Sequence, residues 1–345
     1  MAFAVNRVFD TVYAGAVGSA LSAAGDIVVQ ATFARPDDMP PGLDAQISTM
    51  AVSGAVAAGG SGANVGFGGS AVLNWIANTI TAEIAGTASG LAVTAGGDLL
   101  VQARDASTIN SLAGAVALGL GSQGASVAVG ASLSYNYVGG APLGISRSHS
   151  VKALIRDTEG LVSGGHVQVS SRFEGAINNI TVAGSVAVGT VAVAVGGSVS
   201  INRVNSRNEA GIRNARQIES RATGGSLAGV AVQARDDGYV LAVAGGLGVA
   251  VSPGSGAGIA AGVAATDNRI GNQTLAYIDG TSETNAGSTT LVRTQTGISV
   301  DAVNNSRIVS VSIGVAAAVA AGRALPARAP APAAATPSKA RSRRA

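Results

Sequence analysis

The sequence of 345 residues contains no cysteine and only 11 aromatic residues of the types Phe, Trp and Tyr. The absence of cysteine excludes a disulfide framework, a thiolate metal site and a cysteine nucleophile. Charged residues make up only 12% of the chain and hydrophobic residues 47%, a balance too apolar for a disordered protein. Because Phe, Met and Trp usually fill a thick globular core, their scarcity predicts a core that is thin and closely spaced.

Glycine is abundant, with 49 residues, which is about twice its usual share of roughly 7%. It does not recur at every third position, so a collagen triple helix is excluded. The apolar content consists mainly of Ala and Val. Small and β-branched residues in these proportions favour closely packed extended chain over a conventional helical or globular core.

The positive charge is concentrated at the C-terminus. The formal net charge is +3, but residues 322–345 hold 6 of the 22 Lys and Arg residues and no acid. The rest of the chain has 16 basic and 19 acidic residues, a net charge of −3. A nucleic-acid partner is therefore not expected for the body of the protein. We predict a folded region over residues 1–321 and a disordered Pro/Ala/Arg-rich tail over residues 322–345.

The chain is built from internal repeats of roughly 65 residues. One marker is the string GDIVVQA, GDLLVQARD, GHVQVSSR and GVAVQARDD, with a weaker fifth copy STTLVRT. The second residues of these strings are separated by 72, 68, 64 and 59 residues: Asp26, Asp98, His166, Val230 and Thr289. A second marker is Ala-x-Ile, beginning at Ala82, Ala153, Ala210 and Ala276. The third marker is an asparagine that closes an apolar run: Asn74, Asn136, Asn202 and Asn268. The markers predict about four and a half repeats.

Within each repeat the hydrophobic period is 2, as in a β-strand. Residues 126–136 and 191–202 alternate a large side chain with Ala, Gly or Ser. The best helical candidate is residues 71–85, and even there the match between copies favours strand and turn. The asparagine that closes each run is interpreted as a turn residue, since Asn tolerates left-handed backbone. Stacked asparagine ladders are an open alternative.

Residues 180–201 form an uncharged run of 22 residues, long enough for a membrane helix. Alternating Val and Gly, and the lack of Trp and Tyr belts, argue against that interpretation. An outer-membrane barrel would carry aromatic girdles, which 11 aromatic residues hardly supply. Stable membrane insertion of this segment is not predicted.

The motifs that often carry chemistry are weak in this sequence. His149 and His166 are 17 residues apart and lack metal-site spacing, and His166 occupies a repeat position that predicts a turn. The string GLGSQG at residues 119–124 fits GxGxxG, but it lies between two predicted strands and is interpreted as a hairpin-like turn. The string GGSGAN at residues 59–64 only approaches a calcium-loop repeat. We predict no catalytic residue, cofactor or metal site.

Two pairs of adjacent acids allow an alternative, enzymatic interpretation. Asp37 with Asp38 and Asp236 with Asp237 have the composition of an acid/base pair, and Asp105 with Arg104 follows the same type of strand. A β-helix enzyme acting on polysaccharides would use Asp236, Asp237, Asp105 and Arg104. The preferred interpretation is that these acids are solvated turn residues that follow the repeat.

The succession GDLLVQARD, INSLAGAVALGLG, SVAVGASLSYN and NTxxAxI (the last at residues 78–84) resembles the repeat region of large filamentous adhesins of Gram-negative bacteria, the haemagglutinin-like and leukotoxin-type adhesins. The resemblance covers residues 12–322. It implies a right-handed parallel β-solenoid and type V secretion. The first residues, MAFAVNRVFD, do not have the pattern of a secretory signal, so the chain is interpreted as part of a longer repeat array.

The resulting expectation is a non-catalytic structural and adhesive stalk, exposed at the cell surface or secreted. It would project as a rod and contact a protein or glycan receptor on host or neighbouring cells by weak multivalent binding. The alternatives are the polysaccharide-active enzyme and an outer-membrane or pore-forming β module.

Overall fold

The computed structural model describes residues 1–34, 45–86, 91–224, 228–253, 256–280 and 289–320. These residues form 25 β-strands, β1 to β25, and one 3₁₀ turn at Pro142–Gly144. The all-β prediction is confirmed, and the helical candidate at residues 71–85 lies in two strands. The predicted tail at residues 322–345 and the acid pair Asp37–Asp38 lie outside the described residues. Among the described residues, no helix is long and apolar enough to cross a membrane.

The strands form five parallel sheets, which we name A to E, and each sheet takes every fifth strand of the chain. Each repeat is therefore one coil, and five coils stack to give a parallel β-solenoid, as predicted. The sequence markers align between coils, so that Asn74 pairs in register with Asn136 and Ala82 pairs with Ala153. The repeat interval is thus the contour length of one coil, and the described residues contain five coils rather than four and a half.

Sheets A and E contain the long strands, which have 13 or 14 residues except for the first strand of sheet A, which has 7. Sheet A consists of Ala2–Val8, Asn64–Ile76, Ala125–Val138, Val191–Val204 and Ala257–Ile270 (β1, β6, β11, β16 and β21). Sheet E consists of Ile47–Gly59, Thr108–Gly121, Ala176–Val188, Tyr239–Ser252 and Arg307–Ala320 (β5, β10, β15, β20 and β25).

Sheets B, C and D contain shorter strands. Sheet B consists of Thr11–Val17, Thr79–Ala85, His149–Arg156, Ser206–Arg213 and Gln273–Asp279 (β2, β7, β12, β17 and β22). Sheet C consists of Leu21–Ala23, Leu91–Ala95, Thr158–Ser163, Gln217–Ser220 and Leu291–Thr294 (β3, β8, β13, β18 and β23). Sheet D consists of Ile27–Phe33, Leu99–Asp105, Val167–Phe173, Val230–Asp236 and Ile298–Asn304 (β4, β9, β14, β19 and β24).

Sheets B, C and D, together with the adjoining ends of sheets A and E, enclose the main hydrophobic core, which we call the body. Its buried side chains are mostly Ile, Val and Leu, and Ile76 and Ile109 extend it to the ends of sheets A and E. Phe173 is the largest side chain that is fully buried. Alternation along each strand places these residues inside, and burying one such side chain contributes about 1.5–3 kcal/mol.

Beyond the body, sheets A and E pack directly on each other as a thin two-layered projection, which we call the fin. Its interior is lined by small residues, including Ala117, Ala128 and Ala194. A Cβ atom on Gly130 or Gly196 would overlap a backbone carbonyl of the facing sheet. The glycines therefore allow the two backbones to approach more closely than side chains would permit.

The connection between sheets E and A at the free end of the fin is a turn between two layers. Of the predicted turn at residues 119–124, only residues 122–124 form the turn, since residues 119–121 belong to β10. The hairpin interpretation is wrong, because β10 and β11 belong to different sheets and are not paired. The uncharged run at residues 180–201 likewise consists of β15, such a turn and β16. In each coil the long apolar runs are therefore the two layers of the fin.

Candidate functional site

A continuous ladder of asparagine side chains lies at the boundary between fin and body. In the strands of sheet A, each Nδ2 atom donates to the Oδ1 atom of the asparagine in the next coil. The four distances are 2.9, 2.8, 2.9 and 2.7 Å along Asn6, Asn74, Asn136, Asn202 and Asn268. The interpretation of these residues as turn residues is wrong, because they lie within strands, and the alternative of stacked ladders is confirmed.

Polar side chains of sheet E face this asparagine ladder. Thr49 donates to Asn74 Oδ1 at 2.9 Å, and Asn179 donates to Asn202 Oδ1 at 3.1 Å. The ladder amides also bond within their own strands, where Asn136 donates to Ser134 Oγ at 3.1 Å. Because buried polar groups are expensive unless paired, this network satisfies its donors and acceptors mutually and holds sheets A and E in register.

His149 and Asp105 form a buried pair at the corner between sheets D and B. Their side chains are fully buried, and His149 Nε2 lies against Asp105 Oδ2. The Nδ1 atom of His149 accepts a 3.1 Å hydrogen bond from the backbone N–H of Asn78, so the ring carries a proton on Nε2, facing the carboxylate. Asp105 Oδ1 accepts from Ser107 N–H at 2.7 Å and from Ser107 Oγ–H at 2.6 Å.

The residue types Ser, His and Asp also occur in hydrolytic sites, but their arrangement differs here. Ser107 donates to Asp105 instead of to His149, and both Asp105 and His149 are enclosed in the core. A nucleophile would need its base within hydrogen-bond reach and an approach for substrate. The geometry therefore supports a structural role in fixing the corner. Sequence reasoning did not identify this pair, because its members belong to different coils.

Asp236 occupies the position of Asp105 two coils further on, with Phe173 in register between them. Burial raises the pKa of Asp236, while hydrogen bonds from Ser306 Oγ at 2.7 Å and Gly238 N–H at 2.9 Å oppose that rise. Two strand spacings separate the backbones of Asp105 and Asp236 by roughly 9.6 Å. Asp236 is therefore a buried corner residue, and the prediction that it is a solvated turn residue is wrong.

Asp237 and Arg104 lie on the outer surface of the same corner, in a line of alternating charges that follows the coil stack. Asp237 pairs with Arg235 at 2.8 Å and with Arg172 at 3.3 Å. Arg104 pairs with Glu174 at 2.7 Å. Partial burial disfavours the ionised form of Asp237, but Arg235, Asn305 and Arg172 hold its pKa below the ordinary value. These two residues therefore serve as members of a surface ion-pair line.

The remaining candidate motifs occupy turns. The backbone N–H of His166 donates to Asp98 Oδ1 at 2.7 Å, which confirms the predicted turn position. Asn64, at the end of the string GGSGAN, donates to the Gly62 carbonyl at 3.3 Å in the turn between β5 and β6. Within the described parts of the chain, no group of three or more His, Asp or Glu side chains is placed to hold a metal ion.

The segment of residues 139–148, between β11 and β12, has a shallow groove on each side. One groove, of about 350 Å³, is lined by Tyr137, Arg203 and Arg269 together with loop backbone. The other, of about 430 Å³, is lined by Phe9, Arg147 and neighbouring polar residues. Arg147 stacks over the Phe9 ring at 4.7 Å and thereby fixes the segment to the first coil. Aromatic and cationic side chains at a solvent-facing groove are suited to binding an anionic ligand.

Comparison with protein-family models gives no match, and comparisons with curated proteins and with solved structures give none either.

Proposed function

We propose that this chain is a structural and adhesive segment of a secreted or surface-exposed protein of a Gram-negative bacterium, and that it acts without catalysis. The observation that supports this best is the continuity of one set of five sheets and one asparagine ladder through all five coils. Such a stack presents the same strand framework at every coil. Chains held side by side on a surface would offer any one contact site many times over, which favours weak multivalent binding.

The dimensions of the stack support membership in a longer array. Five strands at about 4.8 Å rise only about 24 Å along the stack, whereas a strand of 14 residues is about 45 Å long. The five coils are thus wider than they are tall, and the expected rod would require more coils. Within the described residues, the strands of the first coil pair only with the second, and those of the fifth only with the fourth. Both ends therefore offer strand edges on which further coils can pair.

The alternative of a polysaccharide-active enzyme has less support from the positions of its candidate residues. Asp105 and Asp236 are buried, with Phe173 between them in the register. Asp237 and Arg104 face outward and are held in ion pairs. A glycosidase needs two carboxyl groups facing one substrate across a short gap. These four residues are instead divided between the interior and the surface.

The groove lined by Tyr137, Arg203 and Arg269 is the contact site that we propose for an acidic glycan. The guanidinium of Arg203 contacts the carboxylate of Asp267. Arg269 lies in the next coil, in register with Arg203. Tyr137 adds an aromatic surface in the same row. An acidic sugar would bind a guanidinium through its carboxylate and stack its ring on the tyrosine.

The proposal can be tested with beads carrying the full chain at graded densities, flowed over immobilised heparin or polygalacturonate. We expect retention to rise more steeply than bead density, as multivalent binding requires. Arg269→Ala should weaken retention, while Arg216→Ala, at the opposite end of sheet B, should not. If chain-coated beads were retained no better than albumin-coated beads, the adhesive role would be lost. New reducing ends in the polygalacturonate would favour the enzyme instead.

A further inference from the structure

The outward face of sheet E, which we call the valine face, is entirely apolar beyond the level of the asparagine ladder. Five rows of five residues contain only Val, Leu, Ile, Met, Ala and Gly. The first row is Met50, Leu112, Ile180, Val243 and Val311, and the last is Ala58, Leu120, Val188, Val251 and Val319. Several of these side chains are more than half exposed, including Met50 at 75% and Val56 at 67%.

The area of this face is what a stable dimer needs. Five strands about 4.8 Å apart and five rows about 6.7 Å apart give roughly 800 Å². The largest apolar patch on a typical monomer is only about 300–600 Å². Each partner in a standard protein interface contributes about 800 Å². A face of this size and composition points to a protein partner.

In the second and third of the five rows of the valine face, large side chains alternate with glycines. One row is Val52, Gly114, Val182 and Gly245, and the next is Gly54, Val116, Gly184 and Leu247. Every one of these four strands thus carries one glycine and one large residue, in alternating order. A Cβ atom on Gly54 or Gly184 would find no atom within 4 Å, so these two glycines leave open pits. A Cβ atom on Gly114 or Gly245 would contact a neighbouring valine at 3.4 Å, so the pits at these two positions are narrower.

This pattern is complementary to itself under one two-fold rotation. The axis is parallel to the coil stack and lies between the second and third rows. It places the second row of one copy opposite the third row of the other copy. Val182 then faces the partner's Gly184, and Val116 faces the partner's Gly114. The same rotation places the row of Met50 opposite the row of Val56, so four of the five apolar rows overlap, over roughly 640 Å². The row of Ala58 lies opposite the row of Ser48, Asn110 and Asn178, at the rim of the contact. In the fifth strand, Ile313 and Val315 are both large, and the fit is confined to four strands.

We propose that a second copy of this chain docks on the valine face through this two-fold axis, with large side chains of each copy seated in the glycine pits of the other. The two solenoids would then lie side by side with their coil stacks parallel and their fins overlapping. Such isologous contact, in which the same patch serves both partners, is the commonest form of oligomer symmetry. The stalk role does not require this pairing, and the pairing extends that role to lateral association.

A lipid bilayer is a less suitable cover for the same face. β5 and β25 are the outer strands of sheet E and each pairs with one neighbour only. In hydrocarbon, every N–H or C=O group left unpaired on those edges, where no further coil covers them, would cost several kcal/mol, and open sheet edges do not occur there. A second copy covers the apolar face and leaves both edges in water.

The test is sedimentation velocity of the full chain over a concentration series, with variants that fill or exchange the pits. Gly184→Val fills a pit at two symmetric places in the dimer, and overpacking there should raise the dissociation constant by at least about tenfold. Gly197→Val is the matched control, because Gly197 has equally open space but faces outward on sheet A. The double variant Val182→Gly with Gly184→Val exchanges the large residue and the glycine within one strand and should restore dimerisation.

Far-ultraviolet circular dichroism establishes that each variant is folded, and Gly54→Val replaces Gly184→Val if the latter is not. The proposal is overturned if the unmodified chain stays monomeric throughout, or if a folded pit-filling variant dimerises as tightly as the unmodified chain. It is also overturned if the exchanged double variant is folded but stays monomeric. Flotation with phosphatidylcholine vesicles provides the remaining arm: a monomer that floats with vesicles would assign the face to lipid.

Discussion

Asn136 donates a 2.9 Å hydrogen bond to Oδ1 of Asn202, and the two residues are 66 positions apart in the chain. Asn136 is fully buried, and its own Oδ1 atom accepts from Asn74 at 2.8 Å. One side chain thus joins three successive coils. Because the body core and the fin interior lie on opposite sides of this ladder, its hydrogen bonds tie the two parts of every coil together.

Replacing Asn136 should therefore destabilise the whole stack. Asn136→Leu removes both ladder bonds and leaves the amide of Asn74 and the carbonyl oxygen of Asn202 with fewer partners. We expect the free energy of unfolding to fall by about 3 kcal/mol. Urea unfolding followed by circular dichroism measures it. The control Asn305→Ala removes an exposed side chain that donates to the surface carboxylate of Asp237 at 3.2 Å, and it should change stability by less than about 1 kcal/mol. Equal losses in the two variants would contradict the ladder's role.

Two adjacent glycines of β16 should respond oppositely to alanine. A Cβ on Gly196 would overlap the backbone of Leu247 in the facing sheet, so Gly196→Ala must separate the two layers. We expect a loss of about 2 kcal/mol in thermal or urea unfolding. Gly197 faces open space, so Gly197→Ala should be neutral or stabilise by up to about 1 kcal/mol. A similar loss at both positions would contradict the close contact of sheets A and E.

Removing the buried carboxylate of Asp105 should weaken the corner between sheets D and B. Asp105→Ala leaves His149 Nε2 and the Ser107 hydroxyl without their partner inside the core. Because His149 accepts at Nδ1 and carries its proton on Nε2, the variant leaves buried neutral donors without an acceptor, and each such group costs about 1–3 kcal/mol. The melting temperature of Asp105→Ala is to be compared with that of Asp301→Ala, which removes an exposed carboxylate. Matching melting temperatures would show that the pair contributes nothing to stability.

The raised pKa of Asp236 predicts a pH dependence with a definite sign. Between its ordinary value of 3.8 and its higher pKa in the fold, the native state binds more protons than the unfolded state. The free energy of unfolding therefore falls as pH rises through this window. Asp236→Asn lacks this loss, so its stability relative to the unmodified chain should increase from pH 4 to pH 7 in urea unfolding.

Asp237 provides the control of opposite sign. Its pKa is lowered in the fold, so its ionised form contributes stability that is present above 3.8 and is lost as pH falls. Asp237→Asn should accordingly be less stable than the unmodified chain at neutral pH, and this difference should disappear as pH falls below about 4. Because Asp237 is only partly buried and its partner Arg235 is exposed, solvent screens the pair and this loss should be small. Parallel pH profiles for the two variants would show that burial of Asp236 does not set its ionisation.

The repeat and its strands could be predicted because the period is written directly in the sequence. Asn74, Asn136 and Asn202 recur at nearly constant intervals, and their spacing equals one coil of the solenoid. Alternation of large and small residues identified the long strands of sheets A and E. Periodicity does not say which face is inside, however. In the fin the small residues are inside and the valines are outside, the reverse of the arrangement in the body.

The contacts between coils could not be derived in the same way. Asp105 and His149 meet because the end of a sheet D strand in one coil lies beside the start of a sheet B strand in the next coil. The 43 residues between them in the chain determine that contact. The role of Asn136 was misjudged because asparagine is common both in turns and in ladders. Only the register of neighbouring coils distinguishes these two roles, and register depends on the lengths of connections that carry no pattern of their own.

The asparagine ladder also gives the stack a direction. From Asn6 to Asn268, every amide donates toward the C-terminal coil and every carbonyl oxygen accepts from the N-terminal side. The side-chain dipoles are therefore aligned, and each bond polarises the next. A coil that has already folded presents an oriented N–H to the asparagine of the coil that follows it. This orientation favours docking of each coil on the one before it in a single register.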